Sequence, residues 1–181
     1  MMFRKLRKRI GKYILDRKLQ KRHREMRSIA LKDAKSIGII FNSKDNLSLK
    51  IAKEFQQQHL AKGINVDILG FHHKRKTEET HISTDISNFV NSRDFNYFYQ
   101  PKTESILKFI EKPYDILIVF YPKDHFQIRV LSCLSMAKFK VGNGKLNHHS
   151  FDLSIECEPT NVEEMFTSAT HYLSKITTSK E

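Results

Sequence analysis

Cysteine is scarce. The 181 residues hold two, Cys133 and Cys157, without metal-type spacing, and a reduced cytoplasmic protein is the expectation. Long apolar runs are missing as well. None approaches the roughly 18 to 20 residues needed to cross a bilayer, so no transmembrane segment is expected. Met1 to Ile14 is cationic and partly apolar, yet no unbroken apolar stretch of about 7 to 15 residues follows, which argues against a secretory signal. The chain is therefore expected in the cytoplasm, free or peripheral to the inner membrane. Glycine is absent from the two loops Asn42-Ser43-Lys44-Asp45 and Tyr121-Pro122-Lys123-Asp124-His125. That excludes the dinucleotide fingerprint and the P-loop, both of which need glycine where the backbone approaches phosphate. No nucleophile accompanies Asp124-His125, and adjacent side chains point in different directions, so no catalytic residue is assigned. Consecutive histidines in loops, His72-His73 and His148-His149, are too weak a pattern to assign a metal, and no cofactor is implied.

Acidic residues are nearly absent from the first 35 positions. That stretch has fourteen Lys or Arg against three Asp or Glu, a net of +11 out of +12 for the whole chain. The remaining 146 residues hold 18 basic and 17 acidic side chains, a net of +1. The chain thus divides into a basic N-terminal helix or arm, residues 1–35, and a nearly neutral body, residues 36–181.

In the arm, Phe3, Leu6, Ile10, Tyr13 and Ile14 fall on an arc of about 100° at 3.6 residues per turn. The candidate residues for an anionic partner are Arg4, Lys5, Arg7, Lys8, Arg9, Lys12, Arg17, Lys18, Lys21, Arg22 and Arg24. Beyond Arg17 the apolar stripe stops, and a helix there has little tertiary reason to form without a partner. Closely spaced cations suit phosphates, and RNA or a ribonucleoprotein is the favoured anionic partner. The same helix also suits an anionic membrane surface, with the stripe sunk in the interface. A third possibility is that the stripe docks on the chain's own body or on a protein partner.

The body reads as an α/β fold. Ile37-Gly-Ile-Ile-Phe41, Val66-Asp-Ile-Leu-Gly-Phe71 and Asp115-Ile-Leu-Ile-Val-Phe-Tyr121 are continuous apolar runs, as buried parallel strands require. Helical spacing follows from Leu47 to Gly63, around Ile106 to Ile110, from Phe126 to Ala137 with Asp124 as its cap, and from Val162 to Ile176. A third strand is expected at Phe95-Asn-Tyr-Phe-Tyr99, a fifth at Lys138 to Val141 and an outer one at Phe151 to Ile155. Residues 72–94 are expected to be the least regular, with Ile82, Ile86, Phe89 and Val90 permitting a short helix. The expectation is a three-layer Rossmann-like domain whose mainly parallel sheet has about five or six strands, in the order 3-2-1-4-5. In such a sheet ligands sit at the carboxyl ends of the strands where the order reverses, which marks Asn42, Ser43, Lys44, Lys123, Asp124 and His125 as the possible crevice.

The block Tyr114-Asp-Ile-Leu-Ile-Val-Phe120, Leu134-Ser-Met-Ala-Lys-Phe-Lys-Val-Gly142 and Phe151-Asp-Leu-Ser-Ile155 resembles a bacterial family of small α/β proteins of unknown function. That resemblance implies an architecture and no activity. Asp115 with Ser135-Met-Ala-Lys-Phe-Lys-Val-Gly142 is also distantly similar to the N-terminal Rossmann-like half of heptosyltransferase-type glycosyltransferases. This second likeness implies a nucleotide-binding or phosphosugar-binding half-domain without the donor half.

Overall fold

The computed structural model describes residues 2–73, 87–146, 150–158 and 160–178. Helix α1 (Met2–Gln20) leads through an extended segment into β1 (Ser36–Asn42), α2 (Asn46–Leu60), β2 (Asn65–His72) and β3 (Ser87–Asn91). Then come α3 (Glu104–Glu111), β4 (Ile116–Phe120), α4 (Phe126–Leu134), β5 (Phe139–Asn143), β6 (Leu153–Ile155) and α5 (Val162–Lys175). The six strands form one parallel sheet in the order β3-β2-β1-β4-β5-β6.

Side-chain alternation sorts the central strands between two cores. Ile37, Ile39, Phe41, Ile68, Ile118 and Phe120 meet α2 and α5 on one face. Ile40, Leu69, Phe71, Leu117, Val119 and Tyr121 meet α3, α4 and Leu15 of α1 on the other. Both layers are apolar because both faces of the sheet are covered, and this is why β1, β2 and β4 carry no polar alternation.

Two sequence expectations are corrected. Phe95 to Tyr99 is not a strand: the Asn96 side chain accepts from the N–H groups of Phe98 (2.9 Å) and Gln100 (3.0 Å), and an isolated bridge joins Phe95 to Pro101. Tyr99 has φ 62°, a left-handed conformation that no strand contains. The third strand is instead Ser87–Asn91, so Phe89 and Val90 are strand residues and not helical ones. Ile82, Ile86, His148 and His149 lie outside the described residues.

At the amino edge of the sheet, Asp115 is a structural bracket. Its carboxylate accepts from the N–H of Lys35 (2.8 Å) and Ser36 (3.1 Å) and from Lys138 Nζ (3.2 Å). Burial pushes its pKa up, but these donors outweigh burial and hold the carboxyl below its usual range. Nearby, Tyr114 lies over Gly38, where an added Cβ would meet its ring at 2.9 Å. The Tyr114 hydroxyl donates to Asp67 Oδ2 (2.6 Å), as does Lys112 Nζ (2.7 Å). Burial first, then the hydrogen bond to Asp67 and the Asp67 charge, raise the Tyr114 pKa well above the ordinary tyrosine value. Tyr114→Phe removes one donor from a buried carboxylate and is expected to lower stability by about 1.5 to 3 kcal/mol in urea unfolding, with m unchanged. A midpoint equal to the parent's would show that the bond contributes nothing.

Candidate anion-binding site

Helix α1 is docked, but not by its apolar stripe. The buried face consists of Gly11 and Leu15, with Arg7, Ile14 and Leu19 half-buried, and it packs on α4 and on the loop from Phe95 to Pro101. Residues 7, 11, 15 and 19 recur at i, i+4, so they form one ridge. Gly11 permits the close approach: a Cβ there would lie 2.5 Å from the Phe98 carbonyl oxygen and 3.0 Å from the Phe126 ring. Gln100 Nε2 donates to the Gly11 carbonyl at 3.2 Å, and the Arg7 guanidinium lies 3.9 Å from the Tyr99 ring centroid and 4.9 Å from that of Tyr97.

Docking on that ridge turns the stripe outward. Phe3 is 76% exposed, Leu6 52%, Ile10 36% and Tyr13 60%; of the stripe only Ile14 is half-buried. Lys5, Arg9, Lys12, Arg17 and Lys21 are exposed around it, and among the described residues none of them is paired with a carboxylate. Arg17 lies 5.6 Å from the Tyr13 ring. Lys18 is held below the usual lysine range, by burial and then by the charge of Arg22.

Helix α1 runs past Arg17 to Gln20, and the segment after it lies along the body. Arg22 donates to the Leu134 carbonyl at the end of α4 and lies 3.7 Å from Glu111. Arg24 makes two 2.6 Å bonds to Asp152. These two arginines are therefore used internally.

Beneath the first turns of α1 lies a cleft of about 910 Å³, at the carboxyl ends of β2, β3 and β4. Its cations come from three places: Arg4, Arg7 and Lys8 from α1, Arg93 from the turn after β3, and Lys102 from the loop before α3. His73, following β2, and His125, following β4, stack with ring centroids 4.8 Å apart on its wall. Burial first and the charge of His73 second lower the His125 pKa. Among the described residues Asp124 is the one carboxylate on its lining, and it bonds Arg129 at 3.2 Å instead of capping α4. The residue at the cap position is His125, and no side chain caps that helix.

Of the six residues expected around a crevice, this cleft takes two. Asp124 and His125 line the cleft; Asn42, Ser43, Lys44 and Lys123 do not. The β1 loop is occupied with its own structure: Asn42 accepts from the Lys44 N–H (3.2 Å), Ser43 is buried near His72, and Asp45 caps α2. Sequence reasoning missed Arg93 and Lys102, which are far from the arm in sequence. It also missed the Gly11-Leu15 ridge, for which the i, i+4 spacing was the available signal.

A family model matches residues 7–176, nearly the whole of this ridge, cleft and sheet. The chain belongs to DUF6913, a family of unknown function. A search of curated proteins and one of solved structures found no match. The heptosyltransferase likeness gains no support from these comparisons, and Asp115, which carries it, serves the backbone at the edge of the sheet opposite the cleft. Among the described residues, no helix is long and apolar enough to cross a membrane.

Proposed function

We propose that this protein is a binding protein that docks on an anionic membrane surface through the outward half of α1. The observation that carries the reading is the row Phe3, Leu6, Ile10 and Tyr13, exposed on a helix whose opposite side is already packed. Water contact with large side chains of this kind in line is unfavourable; fully burying an exposed Phe or Leu is worth about 1.5 to 3 kcal/mol, and Ile10, 36% exposed, contributes less. Cations flank the row, and each contributes about 1 kcal/mol near an anionic leaflet. A helix lying in the interface plane satisfies both requirements at once. RNA would neutralise Lys5, Arg9, Lys12 and Arg17 but leave the apolar row in water.

Vesicle sedimentation tests this. The chain should bind vesicles containing phosphatidylglycerol, bind phosphatidylcholine vesicles far less, and lose affinity as salt rises. Ile10→Asp, at an exposed position, should weaken binding by about tenfold or more without altering the fold. Equal binding to neutral and anionic vesicles, or no effect of Ile10→Asp, would overturn the reading. Nuclease-sensitive co-purification of RNA that persists in Ile10→Asp, together with no vesicle binding, would assign the cations to RNA. A concentration-dependent dimer abolished by Ile10→Asp would assign the row to a second copy.

A further inference from the structure

We propose that the cleft beneath α1 binds a phosphate-bearing small molecule, with the N-terminal helix completing the site. Among the described residues, Arg4, Arg7, Lys8, Arg93 and Lys102 converge on one concavity against one carboxylate, Asp124, which is itself shared with Arg129. None of the five is paired with a carboxylate among the described residues. Arg7 is half-buried and the other four are exposed, and like charges gathered around one concavity raise the local concentration of anions there.

The backbone points to the same chemistry. Helix α4 starts at the cleft wall with Phe126 and Gln127, no side chain occupies its N-cap bond, and its first turn has no acidic residue. Free N–H groups and the positive end of the helix dipole there match phosphate oxygens. The volume, about 910 Å³, fits a small molecule and not a folded partner. Arg7 ties the two parts together. Its guanidinium lies over the Tyr97 and Tyr99 rings, which fixes it on the cleft lining at the seam between α1 and the body.

The phosphate group can come from a soluble metabolite or from a lipid headgroup, and both present the same dianionic or monoanionic oxygens. Calorimetry on the full chain with pyrophosphate, and separately with ADP, should show saturable binding that sodium sulfate at equal ionic strength does not reproduce. Arg93→Ala combined with Lys102→Ala, both outside α1, should raise Kd by about tenfold or more. Ile10→Asp, which tests the membrane-facing row, should leave pyrophosphate binding unchanged, so the two proposals fail separately. No saturable binding of pyrophosphate or ADP by the folded full chain, or binding indifferent to the Arg93/Lys102 pair, would overturn the site. Once pyrophosphate binding is found, vesicle association that survives the double substitution assigns the ligand to solution. Loss of that association assigns it to a lipid headgroup.

Discussion

Gly11→Leu is expected to lift α1 off the body. Any Cβ at this position would lie 2.5 Å from the Phe98 carbonyl oxygen, and because that atom is backbone the contact cannot be relieved by a rotamer change. The helix must move, and moving it uncovers Leu15, breaks the Gln100 bond to the Gly11 carbonyl and separates Arg7 from Tyr99. Overpacking of this kind costs about 1 to 3 kcal/mol. An isolated cationic helix of this length is marginal in water, so the released segment should unravel. Trypsin, which finds Lys and Arg throughout α1, should then cleave it many times faster than in the parent while the sheet survives. Gly11→Ala should show a weaker version of the same effect. Unchanged protection of residues 2–20 in Gly11→Leu would mean that the ridge is not the docking face.

Stability should rise between about pH 8 and pH 10.5 through one residue, Lys140. Its side chain is buried at 3% exposure, and Nζ donates to the carbonyls of Ser132 (2.7 Å) and Cys133 (3.2 Å). Burial first and the charge of Arg24 second push its pKa down to about 8. In the unfolded chain the group keeps its proton to about 10.5. Across that window the unfolded state therefore binds more protons than the native state, and linkage makes stability increase with pH. Below about pH 8 both states are protonated and the full penalty is present, on the order of 3 kcal/mol. Cys133, Cys157, Tyr114 and Tyr121 have raised values and act in the opposite direction at high pH, so the comparison must be with Lys140→Met. Urea unfolding at pH 7, 8.5 and 10 should show the parent gaining on the variant as pH rises. A difference independent of pH would contradict a charged, buried Lys140.

The central strands were legible because β1, β2 and β4 are covered on both faces, which leaves continuous apolar runs in the sequence. Helix α5 was legible from Val162, Met165, Phe166, Ala169 and Leu173, all buried at helical spacing. Gly63, with φ 76°, ends its helix as expected. β3 was not legible. It is an edge strand, Ser-Asn-Phe-Val-Asn, with two apolar residues, while the neighbouring aromatic run had more strand character and was turned by Asn96 instead. In α1 the more conspicuous stripe faces solvent, because docking was decided by a residue with no side chain. Gly11 contributes nothing to an apolar pattern and everything to close approach. Of the cleft lining, the positions of Asp124 and His125 follow from sheet topology, whereas the convergence of Arg4, Arg7 and Lys8 with Arg93 and Lys102 exists only after folding.

The natural sequence contains no tryptophan, so Tyr13→Trp gives a single reporter at the centre of the proposal. Tyr13 is 60% exposed, and the substitution keeps an aromatic ring at that place. In buffer the emission should be that of an indole in water. Adding vesicles with phosphatidylglycerol should shift it to the blue, while phosphatidylcholine alone should leave it in place. Blue emission before any vesicle is added, or no shift on anionic vesicles, would contradict an apolar row that waits uncovered for a lipid surface.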